Sequence, residues 1–212
     1  MTRAQITYAF DAYCGWCYGF GPALHDFAEA NKDRVDVKVI SGGLFSGSSA
    51  QPIGAFPHIP GANARIAQLT GVEFGDDYNA VLEEGTRVMD STAAATGLVA
   101  LRRQAPERAL DFAGAIQKAW YMDGKELRDV QVYREIAEQF GLDADKVAAA
   151  FEDPEVQAEA LEDFRELRRM GVQQYPTLLI QKENGMQRLG GPVSSAEALT
   201  AALDAQLANS SN

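Results

Sequence analysis

Cys14 and Cys17 are the only cysteines in this 212-residue chain, and Gly15 and Trp16 separate them. Thiols at that spacing close a small disulfide ring or supply half of a metal cage, so the pair points to redox chemistry or to metal binding. In thiol-disulfide exchange the thiolate is the nucleophile, and a reactive cysteine needs surroundings that favour the anion. A helix N-terminus is such a place, because its first N–H groups lack partners and the positive end of the macrodipole lies there. Cys14 falls where a strand pattern ends and a helical pattern begins, with Cys17 one turn further along the same face. Cys14 is therefore expected to attack a substrate disulfide, and Cys17 to resolve the mixed disulfide. Gly15 relieves crowding between them, and Trp16 offers substrate an apolar face beside the sulfur.

Two other readings of the pair stand beside this one. A tetrahedral zinc site needs two further ligands, and the chain has only His25 and His58 to offer. His25 lies eight residues beyond Cys17, about 12 Å along the same helix, and does not easily close a cage. His25 reads better as a surface or packing residue, and His58, in a proline-rich loop, as an exposed one. Two inert buried thiols form the remaining reading, which the helix-start position disfavours. Neither a metal nor a bound cofactor is expected.

The elements that must hold the pair follow from periodicity. Residues 5–10 alternate polar and apolar and read as a strand ending at Asp11. Phe20, Leu24, Phe27 and Ala28 carry a helix to about Ala30, with Pro22 inside it, and 35–40 reads as a second strand. Strand, helix and strand in that span make a βαβ unit with a parallel pairing. Residues 43–60, rich in Gly, Ser and Pro, read as a connecting loop, and 61–170 as an all-helical block. Stops at Gly71, Gly97 or Pro106, Gly124 and Gly141, with Pro154 opening the last helix, predict five or six helices. From Gly171 the pattern returns to strands, with a hairpin turn at Glu183-Asn184-Gly185. A final helix is capped by Ser194 or Ser195, and the tail 209–212 is expected to fray. The fold class is α/β, with residues 1–42 and 171–212 forming one domain around the helical insertion 61–170.

Composition narrows the partners. Thirty acidic against nineteen basic side chains give a net charge of −11, which repels phosphate backbones and anionic lipid, so neither nucleic acid nor membrane is expected. No stretch approaches eighteen apolar residues, and the opening residues turn acidic at Asp11 before a secretory apolar run accumulates. A cytoplasmic location is expected, where two cysteines have little use as a structural bridge.

The segments Phe10-Asp11-Ala12-Tyr13-Cys14-Gly15-Trp16-Cys17-Tyr18-Gly19 and Gly171-Val172-Gln173-Gln174-Tyr175-Pro176-Thr177-Leu178 together resemble the DsbA-like thioredoxin-fold family, in its FrnE-like branch. The resemblance covers nearly the whole chain and implies a thioredoxin fold, βαβ then ββα, interrupted by the helical insertion. It implies a cis Tyr175-Pro176 bond facing the cysteines, with the Tyr175 backbone pairing an extended substrate; an ordinary trans proline opening an edge strand is the plainer alternative. Asp11 matches an aspartate preceding the motif in that branch and could relay a proton to Cys17, though a carboxylate closing a strand also serves as a turn residue. The activity implied is exchange of disulfides in proteins or small thiols. A glutathione-dependent isomerase or transferase like the related hydroxychromene-carboxylate isomerases is the alternative, and glutathione would be the reductant or co-substrate. Family members that are exported oxidants carry a histidine inside the motif. Gly15 and Trp16 depart from that and favour a reductase or isomerase.

Overall fold

The computed structural model describes residues 3–208, so the fraying expected of 209–212 lies outside the described residues. β1 (Ala4–Phe10) runs through α1 (Gly15–Ala30) into β2 (Val35–Ser41), which pairs parallel to β1. β3 (Thr177–Lys182) lies antiparallel on the other side of β1, and the Glu183-Asn184 turn returns β4 (Gly185–Gly190) along it. The sheet order is β2-β1-β3-β4. A last helix (Ala196–Ala208) is capped by Ser195, whose hydroxyl accepts the Ala198 N–H, while Ser194 accepts from Gly191 instead.

Alternation sorts the strands onto two faces. Ile6, Tyr8 and Phe10 of β1 and Leu178 and Ile180 of β3 point to one face, where they join Phe20, Leu24 and Phe27 of α1 and Leu199 and Leu203 of the last helix. Ala9, Ile40 and Leu179 point to the other and meet Leu167 and Val172. Each such large side chain contributes about 1.5–3 kcal/mol by leaving water. Pro22 sits within α1, which runs through it to Ala30.

Between the two halves of the sheet lie seven α-helices rather than five or six: α2 (Ile59–Thr70), α3 (Asp76–Glu84), α4 (Ser91–Arg102), α5 (Ala109–Tyr121), α6 (Val130–Gln139), α7 (Ala144–Phe151) and α8 (Pro154–Arg169). The last helix is accordingly α9. The break that periodicity does not reveal is at Gly85, whose left-handed φ of 72° ends α3. The chain then runs extended, bridging Val88 to Pro52, before Asp90 caps α4. The 43–60 segment is less irregular than expected, because it holds two short 3-10 turns, Gly47–Ser49 and Ile53–Ala55, and reaches α2 at Ile59.

The helical block shares the core of the sheet. α5 and α8 pack on β2, and α2 and α5 on α1. Arg102 at the end of α4 pairs with the buried Asp163 of α8 at 2.7 Å and reaches the Val39 carbonyl of β2. Of the two stops expected here, Gly97 or Pro106, the helix ends at Arg102 ahead of Pro106, and Gly97 lies inside α4, where a Cβ would sit 1.9 Å from the Tyr133 ring of α6. Alanine in a free helix is favoured over glycine by about 1 kcal/mol. Here the order should reverse: Gly97→Ala is expected to destabilise by roughly 1–3 kcal/mol through overpacking. Urea unfolding checks this, and a stabilised variant would mean that Tyr133 moves aside freely.

Candidate active site

The geometry of the cysteine pair starts at the end of β1. The Asp11 carbonyl accepts the Cys14 N–H at 3.0 Å, closing a tight turn, and the Asp11 Oδ1 accepts the Tyr13 N–H at 3.0 Å. That turn delivers Cys14 to the N-cap of α1 in extended conformation. Its Sγ accepts the Cys17 N–H at 3.3 Å, so the sulfur fills the place that serine or aspartate oxygens commonly take. Cys14 keeps 6% of its surface exposed and Cys17 none. Both are free thiols, and the Cys14 thiol donates to the Tyr175 carbonyl at 3.5 Å.

Trp16, Tyr175 and Pro176, read from the sequence as substrate-binding residues, lie around Cys14. The Tyr175-Pro176 bond is cis. The Tyr175 ring lies over Gly42, where a Cβ would come within 2.1 Å of it, and Pro176 is buried beneath. Trp16 is half-buried at the mouth of a cleft of about 160 Å³ beside Cys14. Of the two histidines, His58 lines the same cleft and His25 does not. His25 lies 3.7 Å from Asp111 on α5, and the exposed His58 precedes α2 at the cleft.

Asp11 is fully buried, and both carboxylate oxygens are occupied: Oδ1 by the Tyr13 N–H and Oδ2 by the Leu44 N–H at 2.9 Å. Burial pushes its pKa up to about 6, against the lowering effect of Leu44, Ser91 and Tyr13. The carboxylate thus builds the turn and ties it to the chain leaving β2. The Asp11 backbone N–H, not its carboxylate, bonds toward the Cys17 sulfur. Burial, reinforced by the neighbouring Cys14 sulfur, pushes the Cys17 thiol well above the ordinary thiol range. The sequence reading missed Tyr8, whose buried hydroxyl reaches the Cys17 carbonyl at 3.4 Å and its sulfur as well. On β1 it read only as a strand former.

The cleft walls were missed too, since they come from the insertion. Ile66 and Asn63 of α2 close on α1 because Gly15 and Gly19 have no side chains. A Cβ on either would meet Ile66 at 2.9 or 2.7 Å. Two glycines four apart on one helix were the available signal. Gly15 therefore admits α2 rather than merely easing the turn.

Comparison with known proteins places this arrangement. The sequence matches the family described as DSBA-like thioredoxin domain over residues 5–203. No curated protein matches it. The cytosolic disulfide reductase DsbM from Pseudomonas aeruginosa is similar in structure, with a TM-score of 0.82 and 27% identity over 97% of this chain and 99% of that one. A protein from Nitrosomonas europaea shares the fold at a TM-score of 0.84 with 21% identity, covering 98% of this chain and 99% of the other. A 2-hydroxychromene-2-carboxylate isomerase shares it at 0.63 with 14% identity, over 97% of this chain and 95% of that one.

The raised carboxyl of Asp11 gives stability a measurable pH dependence. Its folded pKa of about 6 exceeds the ordinary 3.8, so the folded state holds a proton that the unfolded chain has already lost between those values. This contribution is fully present below the unfolded value and is lost as pH rises through the folded one. It amounts to about 3 kcal/mol. Asp11→Asn lacks the titration, so its stability deficit against the native chain should narrow by most of that, about 2 kcal/mol, between pH 4 and 7. Urea unfolding at stepped pH measures the gap. A constant gap would show that the carboxyl titrates normally.

Proposed function

The chain belongs to the DSBA-like thioredoxin-domain family, and from that premise we propose that it reduces or isomerises disulfides through Cys14 and Cys17. One observation carries the reading: Cys14 caps the helix at the edge of the cleft with 6% of its surface exposed, while Cys17 has none. The Cys14 thiolate attacks one sulfur of a substrate disulfide, forming a mixed disulfide and releasing the other sulfur as a thiolate. Cys17 then loses its proton and attacks the Cys14 sulfur. The Cys14–Cys17 disulfide forms, the second substrate thiol leaves, and two electrons have passed from enzyme to substrate. A small thiol such as glutathione, supplied as two equivalents, returns the enzyme to its dithiol.

The Tyr175 backbone, held beside Cys14 with Pro176, aligns the substrate chain, and Trp16 packs against it. Asp11 acts on Cys17 in two opposed ways: its backbone N–H bonds toward the sulfur and favours the thiolate, while the charge of its buried carboxylate opposes it. The likeness to the isomerase at 14% identity extends to fold alone. A resolving thiol directly behind the nucleophile favours exchange over a single-nucleophile isomerase. A reducing cytosol suits such a reductase, and the similar Pseudomonas protein is described as cytosolic. Among the described residues no helix is long and apolar enough to cross a membrane.

Cys17→Ser is expected to accumulate mixed disulfides with its substrates, and Cys14→Ser to accumulate none, as read by mass spectrometry after acid quenching. Equal trapping by both would reverse or remove the assignment.

The uncharged Gly15-Trp16 pair leaves the helix end as the main source of stabilisation for negative charge on Cys14. That contribution is worth roughly 0.3–2 kcal/mol, or tens of millivolts. The couple should therefore equilibrate with glutathione at roughly −270 to −180 mV, between thioredoxin and protein disulfide isomerase. A value near about −120 mV would mark a strong oxidant and contradict the reductase reading.

A further inference from the structure

Tyr8 stands in the middle of the sheet, paired to Val39 of β2 on one side and to Leu178 of β3 on the other. Its neighbours on the same face of β1, Ile6 and Phe10, carry no polar side-chain atom. Its ring stacks on Phe10 at 5.6 Å and leans on Phe20 of α1 at 6.0 Å, so phenylalanine would fill the same space. The hydroxyl is an addition to an apolar layer, where a polar group is costly unless it is bonded. Both groups it reaches belong to Cys17, the carbonyl and the sulfur. At 3.4 Å the carbonyl contact is much longer than the roughly 2.7–2.8 Å that hydroxyl donors favour, which fits a proton shared with the sulfur.

We propose that Tyr8 is a positioning residue for the second half of the exchange, placed to donate a hydrogen bond to the Cys17 sulfur and ease its ionisation once Cys14 is held in a mixed disulfide. The proposal rests on the disulfide-exchange reading and concerns only its resolving step. There the Cys17 S–H bond breaks and its proton passes to the substrate thiolate released by the first attack. The Cys17–Cys14 bond forms as the bond from Cys14 to substrate breaks, and the second substrate sulfur leaves with the electron pair. The groups facing Cys17 divide by charge. The Cys14 thiolate and the Asp11 carboxylate oppose a negative sulfur, whereas the Asp11 backbone N–H favours one. Burial keeps the nearby Tyr121 and Tyr175 phenols neutral. Tyr8, itself pushed well above the ordinary phenol range by burial, likewise stays protonated and offers a donor without adding a charge.

Tyr8→Phe keeps the ring and removes the donor. A symmetric coloured disulfide, dithiobis(nitrobenzoate), releases one thiolate when Cys14 attacks and a second when Cys17 resolves, so stopped-flow absorbance reads the two steps separately. Losing a hydrogen bond to a charged group should lower the thiolate fraction of Cys17 roughly 10- to 100-fold. The more basic sulfur is the better nucleophile and recovers about the square root of that, so the second release should slow by roughly 3- to 10-fold while the first is unchanged. A Cys14→Ser background, which lacks the nucleophile, isolates the titration of Cys17. There the NMR shift of the Cys17 β-carbon against pH should move its midpoint up by about one to two pH units in Tyr8→Phe. Fluorotyrosine at position 8, a stronger donor of nearly the same shape, should move it down. Midpoints that shift in this way without release of any coloured thiolate would uphold the contact and remove the exchange function. An unmoved midpoint would overturn the proposal whatever the kinetics, since a packing role alters rates and stability but not the titration. Equal slowing of both releases would overturn it too.

Discussion

A sulfur atom caps a helix in this protein, and the rest of the structure is arranged around that contact. For the Cys14 Sγ to accept the Cys17 N–H, a strand must end, a turn must close and a helix must begin within the few residues from Phe10 to Gly15. The turn depends on Asp11, a carboxylate with no solvent. Such a group survives burial only if its oxygens are occupied, and donors from two separate segments meet that need. Even so, the shift of its pKa toward 6 shows that they do not fully offset the desolvation. Some stability at neutral pH is therefore given up to fix where Cys14 sits.

The second constraint is the closeness of α1 and α2. Glycine in a helix costs about 1 kcal/mol relative to alanine, and α1 carries it at both Gly15 and Gly19 on the side that α2 covers. Filling either position would drive a carbon into Ile66. In return α2 stands beside the N-terminal turn of α1 and becomes a wall of the cleft at Cys14. The insertion is thus a part of the site, and the continuous core from Tyr8 through Trp120 to Tyr133 holds it in one orientation.

What the sequence discloses is what local chemistry dictates. The strand alternation at Ile6, Tyr8 and Phe10, the apolar spacing along α1, and Asn184-Gly185 in the hairpin each follow from neighbours in the chain. The cysteine spacing and its place at a strand-to-helix junction are local too, so the position of Cys14 at the helix start, with Cys17 one turn on, could be read. The break at Gly85 had a local signal, a glycine in the left-handed C-cap position, which apolar periodicity passes over; the bridge from Val88 to Pro52 that follows it has none. Gly97 is non-local too: its lack of a side chain answers Tyr133, not the helix that contains it. Tyr8, Leu44 and the α2 wall meet the cysteines only after the sheet and insertion have assembled, and their residue types are ordinary for a core.

The difference between the two cysteines arises from depth. Cys14 keeps 6% of its surface exposed and has the Cys17 N–H directed at its sulfur, a donor to negative charge there before attack. Cys17 is shielded completely, and burial makes its thiol reluctant to ionise. Negative charge on Cys14 adds to that reluctance, because two thiolates one helical turn apart repel in a low-dielectric site. Once Cys14 is bound to substrate in a mixed disulfide, its charge is gone and this part of the penalty disappears. Cys17 is then easier to ionise at the stage when its attack is needed. The Tyr8 hydroxyl and the Asp11 backbone N–H, both directed toward the Cys17 sulfur, hold that developing charge. In the proposed exchange, resolution would be timed by the covalent state of Cys14, and the order of the two attacks would follow from burial and charge without any moving part.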